Sequence, residues 1–119
     1  MNYVFVAIGA ALGGMLRYAI GQFTSSQSGF PWATLGINVA GSLILGIVIA
    51  LVAGKTMSEE MRLFVGIGFC GGFTTFSTFS AETLILWQSG EQLMALTYVL
   101  SSNLLGIAAT FTGIKLVGN

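Results

Sequence analysis

Between Gly66 and Ser80 the chain gathers residue types that can bind an ion without carrying a charge. Four glycines (Gly66, Gly68, Gly71 and Gly72) fall within seven residues and are followed by Thr74, Thr75, Ser77, Thr78 and Ser80, interleaved with Phe73, Phe76 and Phe79. A glycine weakens a helix interior by about 1 kcal/mol against alanine, so the adjacent Gly71 and Gly72 predict a break in a helix. The other reading is an unbroken helix packed tightly through its glycines. A break frees backbone carbonyls, and carbonyls of an unwound segment can hold a cation. Beyond it, helical spacing puts Phe76 and Phe79 on one face and Thr75, Thr78 and Glu82 on another, with Ser77 between them. The hydroxyls offer hydrogen bonds along a line. The phenyl rings offer a negative face and a positive edge, and an edge can meet an anion, although a phenylalanine also simply packs.

The other polar side chains complete this inventory. Asn38 carries two donor hydrogens and an acceptor oxygen, with Gly41 and Ser42 on the same helical face; it makes either an interhelical hydrogen bond or a donor to a permeating species. Gly9, Gly13, Arg17 and Gly21 recur at every fourth position, and the glycines permit another backbone to approach closely. Arg17 has three options: to snorkel to the interface, to pair with helix-end carbonyls, or to face a water-filled cavity. Later in the chain comes Tyr98; beyond it Ser102, Gly106 and Thr110 repeat at four, and Asn103, Gly106, Thr110 and Gly113 form an overlapping stripe. One such face suits packing and the other a polar pathway.

Several chemistries are excluded by what is missing. There is no histidine, and Cys70 is the single cysteine, so disulfides, Cys/His zinc sites and His-based triads cannot form within the chain. No acidic residue, lysine or histidine lies at mid-depth of an apolar segment, where a proton-coupled transporter normally has one. Neutral donors suit a small anion, because weak serial sites let an ion leave as well as enter.

These residues require membrane-spanning helices to position them. Of the 119 residues, 55% are hydrophobic and 7% charged, and the mean hydropathy is +0.89. A soluble domain carries about 25% charged residues. Residues 1–16, 18–54, 63–81 and 92–114 bear no charge at all. A span needs roughly 20 apolar residues, and the second interval is divided by a polar stretch from Thr24 to Pro31. Four spans are predicted in a single transmembrane domain, at 3–23, 32–54, 62–87 and 93–115. The first lacks a basic start and is expected to be retained rather than cleaved. Lys55, Arg62 and Lys115 fall on the side of the termini and Arg17 nearer the other, a slight positive-inside bias that also permits insertion both ways round. A net charge of zero gives no argument for nucleic acid. Four short helices with 17 glycines enclose little space, so a pathway is expected between two copies, a dimer being the simplest closed assembly.

Three segments carry a resemblance to a known family. They are Gly13-Gly14-Met15-Leu16-Arg17-Tyr18, the run from Thr34 to Ser42 around Asn38, and Gly68-Phe69-Cys70-Gly71-Gly72-Phe73-Thr74-Thr75-Phe76-Ser77-Thr78-Phe79-Ser80. At this spacing the chain resembles the small dual-topology fluoride channels, the Fluc or CrcB family, over essentially its whole length. The resemblance implies an all-α membrane protein with four transmembrane helices per subunit, a broken third helix and an antiparallel homodimer with two fluoride pores. It implies a passive, highly selective channel, not an enzyme, that lets cytoplasmic fluoride leave across the inner membrane of a prokaryote. The implied fluoride pathway comprises Asn38, Phe76, Phe79, Ser77, Thr78, Tyr98, Ser102 and Thr110. A structural sodium ion (Na+) is implied at the dimer centre, on the backbone carbonyls of Gly71 and Thr74. Arg17 and Glu82 match family charges, as vestibule or structural groups. The alternative from another class is a proton-coupled exporter like the small multidrug-resistance proteins, and a third is a non-transporting assembly subunit. Besides fluoride, the expected partners are membrane lipid and a second copy of the chain.

Overall fold

The computed structural model of the protein describes residues 1–24 and 29–118. The centre of the polar stretch expected to part the first two spans, residues 25–28, lies outside the described residues. The elements are α1 (Asn2–Phe23), α2 (Trp32–Ala53), α3 (Glu59–Met61), a π-wound stretch (Arg62–Phe69), α4 (Cys70–Phe73), α5 (Phe76–Gln88) and α6 (Gln92–Gly118). The segments from α3 to α5 form one interrupted span, Glu59–Gln88, so among the described residues four helices are long and apolar enough to cross a membrane. At 1.5 Å per residue, the 22 residues of α1 and of α2 each cover about 33 Å, close to the roughly 30 Å of a hydrocarbon core.

Local chemistry fixes the helix ends. Pro31 precedes α2, where it has no N–H to leave unpaired, and its carbonyl accepts the Leu35 N–H at 3.2 Å. The α2 helix stops where Lys55 takes a left-handed φ of 56°; the Thr56 N–H and hydroxyl then close on the Leu51 carbonyl at 3.0 and 3.1 Å. Ser58 caps α3 by accepting the Met61 N–H at 3.2 Å. Gly90, at φ 86°, turns the chain from α5 into α6.

Lipid gives helices no hydrophobic reason to associate, so small residues that let backbones touch decide the packing. Two such contacts build the subunit. The α1 helix lies on the first half of the third span: Gly9 faces the Phe64 carbonyl and Gly68, and Gly13 faces Phe69 and Phe73. The α2 helix lies on α6, where Gly46 faces Thr110 and Gly113 while Gly113 faces Leu43. A smaller core of Leu35, Leu86, Ala95 and Tyr98 joins α5 and α6 to α2. A methyl group added to Gly13 would sit 2.8 Å from the Phe73 nitrogen, against backbone that cannot step aside. Gly13→Ala is therefore expected to cost about 1–3 kcal/mol, read as a lower melting temperature of the purified protein. Unchanged melting would mean that the α1 contact has slack.

The third span is broken, but two residues beyond the glycines that predicted it. Gly71 and Gly72 are inside α4, and the chain leaves helical geometry at Thr74 (φ −79°, ψ 157°) and Thr75 (φ −149°, ψ 115°). The physical reason is that Gly72 is needed for contact: it packs on Ala10 of α1, as Gly68 does on Val6 and Gly9. The π-wound stretch serves the same contact. Its wider turn, seen in the Cys70 N–H bonding back five residues to the Val65 carbonyl, brings Phe64 and Phe69 together against Gly9.

Candidate functional site

Every polar backbone group released by the break needs a partner if it is buried away from water. Two side chains from other helices supply partners. Asn38 on α2 accepts the Thr75 N–H on its Oδ1 at 2.8 Å and donates its Nδ2 to the Thr75 carbonyl at 3.1 Å. Its carboxamide thus pairs with Thr75 on both sides, as a neighbouring strand would. Arg17 on α1 donates its Nε to the Gly72 carbonyl at 3.1 Å, at the C-terminal end of α4, where a cation also complements the helix dipole. Of the three options open to Arg17, pairing with a helix-end carbonyl is the one realised, and the same residue also lines a groove.

Thr75 itself organises the second half of the span. Its hydroxyl caps α5 by accepting the Thr78 N–H at 3.2 Å, lies 3.0 Å from the Thr78 hydroxyl, to which it donates, and lies 3.4 Å from the Ser77 hydroxyl. One hydroxyl has one proton. With the Thr75 proton on Thr78, Ser77 donates to Thr75, and the Thr78 proton has no acceptor among the described residues. Thr75 is the residue that spacing alone undervalued. A threonine three residues ahead of Thr78, immediately after a glycine-rich stretch, is an N-cap signal.

Two grooves meet at this residue. The first, of about 810 Å³, runs between α2 and the third span and is lined by Asn38, Gly41, Gly71, Thr74, Thr75 and Phe76 among others. Gly41 is what admits the Thr74 side chain there. Phe76 stands 78% exposed on this groove, its ring centroid 5.7 Å from that of Phe79. Arg62, at the groove's edge, is held by Glu59 in a two-pronged ion pair at 2.6 and 2.8 Å. The second groove, of about 520 Å³, lies between α1, α2 and α5 and includes Arg17, Thr34, Thr75, Thr78 and Glu82.

The remaining predicted residues fall into different settings. Tyr98 is fully buried in the core and donates its hydroxyl to the Glu82 Oε1 at 2.9 Å. The Phe79 ring packs 5.0 Å from the Tyr98 ring, so the two phenylalanines divide between groove and core. Ser77 is exposed beside Thr75. The Ser102 hydroxyl is buried without a hydrogen-bond partner among the described residues. Thr110 directs its one proton at backbone, 3.2 Å from both the Ser42 and Gly106 carbonyls. Asn103 donates to the Val99 carbonyl of its own helix at 2.8 Å. The α6 stripe through Thr110 and Gly113 therefore serves packing on α2. Cys70 is buried and forms no disulfide among the described residues.

Known proteins resemble this chain over almost its whole length. The family model described as "CrcB-like protein, Camphor Resistance (CrcB)" matches residues 4–114. A fluoride-specific ion channel FluC of Thermus thermophilus is 45% identical over 119 residues, covering 98% of this chain and 94% of the relative. The protein of the same name in Agrobacterium fabrum is 41% identical, covering all of this chain and 98% of the relative. The fluoride-specific ion channel FluC 2 of Rhodococcus jostii is 42% identical, with 98% of each chain covered.

Proposed function

The chain belongs to the CrcB family, and on that premise we propose that it is a passive, selective fluoride channel of a prokaryotic inner membrane, with no catalytic step. It conducts fluoride out of the cytoplasm down the electrochemical gradient. The observation that carries this reading is the first groove. Its wall combines an exposed phenyl ring, Phe76, with the amide of Asn38, whose second N–H is without a partner among the described residues. Its one lining cation, Arg62, is neutralised by Glu59. Fluoride is small and strongly hydrated, so it gains more than a larger halide from neutral donors and ring edges at close range. The absence of a strong fixed charge lets it leave again.

We infer that this groove on an apolar subunit is half of an interface. We read the working unit as an antiparallel homodimer in which a second copy closes the groove and completes a pathway past Asn38, Phe76, Phe79, Ser77 and Thr78. The carbonyls of the break suit a structural sodium ion shared by the two copies. Gly71 and Thr74 both line the groove, and neither carbonyl accepts a hydrogen bond among the described residues. They are hard, neutral oxygen ligands at the negative end of α4, the kind that unwound transporter helices offer sodium.

Liposome efflux tests the function. Purified protein in fluoride-loaded vesicles should release fluoride to an ion-selective electrode once a counter-ion pathway is opened, and chloride-loaded vesicles should keep their contents. Equal release of the two halides would overturn the reading.

A further inference from the structure

Six carbonyl groups lie along the break, from Cys70 to Thr75, and the structure treats them unequally. The Cys70 carbonyl accepts both the N–H and the hydroxyl of Thr74, at 3.0 and 2.8 Å. The Gly72 carbonyl is taken by Arg17 and the Thr75 carbonyl by Asn38. Asn38 also takes the Thr75 N–H, which in a continuous helix would bond to the Gly71 carbonyl four residues back. Among the described residues, that leaves the carbonyls of Gly71, Phe73 and Thr74 without a partner. Phe73 is buried and does not line the first groove, whereas Gly71 and Thr74 are both among its lining residues.

We propose that Asn38 and Arg17 are positioning residues that apportion these carbonyls, holding Gly72 and Thr75 inside the subunit so that those of Gly71 and Thr74 are presented to a monovalent cation. Each uses a different device. Asn38 prevents the helix from re-forming, because while its Oδ1 holds the Thr75 N–H the Gly71 carbonyl cannot be claimed by the next turn. Arg17 draws the Gly72 carbonyl towards α1, which fixes the rotation of α4 about its axis. An anion attractor would need only the charge of Arg17. The positioning role needs the directed Nε–H bond, since that bond is what sets the rotation. The inference rests on the sodium site read above.

The test measures sodium rather than fluoride. The purified full-length protein is melted across a sodium titration in which N-methylglucamine replaces sodium, and exchange of the Thr75 amide proton is followed by NMR. Losing hydrogen bonds at a buried break should raise the sodium concentration for half-maximal stabilisation about tenfold in Asn38→Leu and in Arg17→Met. Arg17→Lys keeps the charge but loses the directed Nε–H to the Gly72 carbonyl, so it should keep most of that shift, and full recovery by lysine would mean that the charge alone suffices. Exchange at Thr75 should quicken about tenfold or more in Asn38→Leu and stay slow in Arg17→Met. Should Asn38→Leu fail to fold, the Arg17 pair carries the test alone, because Arg17→Met removes a charge from the membrane. A wild-type protein whose melting ignores sodium overturns the sodium site and the apportioning with it. A sodium-dependent wild type whose variants keep its half-saturation, even with reduced fluoride flux, overturns the apportioning alone and makes both residues pathway groups.

Discussion

Phe76→Ile should lower fluoride efflux at least tenfold while leaving the subunit's melting temperature within about 1 °C of wild type. The ring is 78% exposed in the subunit and lies on the groove wall, so its loss removes little packing from the protomer. Isoleucine keeps an apolar side chain there but has no quadrupole, and hence no positive edge for an anion. The loss of about 1.4 kcal/mol at the barrier that this flux requires is within what ring quadrupoles give ions in desolvated sites, about 0.5–2 kcal/mol for a cation over a face. The paired substitution at Phe79 should behave differently. That ring is 5.0 Å from Tyr98 and packs against the core of Leu35, Leu86 and Ala95, so Phe79→Ile should reduce flux and also lower the melting temperature, in line with a core loss of about 1 kcal/mol or more. Electrode efflux and thermal melting on the same preparations separate the two effects. Wild-type efflux from Phe76→Ile would reduce that ring to interface packing.

The contrast between these two phenylalanines shows what a sequence can and cannot express. Their spacing of three places them on one helical face, and the rings are neighbours. Which of them points into the core depends on where α6 lies, and no local pattern encodes that. The four long helices were legible because charge-free intervals and Pro31 obey the cost of burying charge and of losing an N–H, both local properties. The break was legible in kind but displaced in position. Gly71 and Gly72 have low helix propensity, yet Gly72 is held in α4 by contact with Ala10, while Thr74 and Thr75 leave the helix because Asn38, 37 residues away, is there to pair with Thr75. Tertiary partners outweighed propensity. For Asn38 and Arg17 the residue type announced a buried polar group in need of partners, and the partners proved to be the same broken segment. The π-wound stretch from Arg62 to Phe69 had no signal in the residue pattern, since it answers to the glycines of α1 rather than to its own sequence.

Gly71→Ala should abolish assembly and flux together while leaving the subunit folded. A methyl group at Gly71 would meet nothing within 4 Å in the subunit, in contrast to Gly13 and Gly72, and alanine inside a helix turn is favoured over glycine by about 1 kcal/mol. Judged by the subunit alone, the substitution is neutral or stabilising. Gly71 nevertheless lines the groove that a second copy is proposed to fill, beside carbonyls proposed to share a sodium ion. In a two-fold dimer each methyl counts twice, and an overpacked contact of about 1–3 kcal/mol per site becomes about 2–6 kcal/mol, enough to weaken association by roughly 30-fold to more than 10,000-fold. Cross-linking and mass measurement in detergent should then find monomer, circular dichroism should find wild-type helix content, and efflux should fall to that of empty vesicles. Replacing sodium by N-methylglucamine in the wild-type protein should move it in the same direction, with a lower melting temperature and a larger monomer fraction. A Gly71→Ala protein that remains dimeric and conducts fluoride would mean that the open side of this glycine faces lipid. The subunit contact and its cation would then have to lie elsewhere on the molecule.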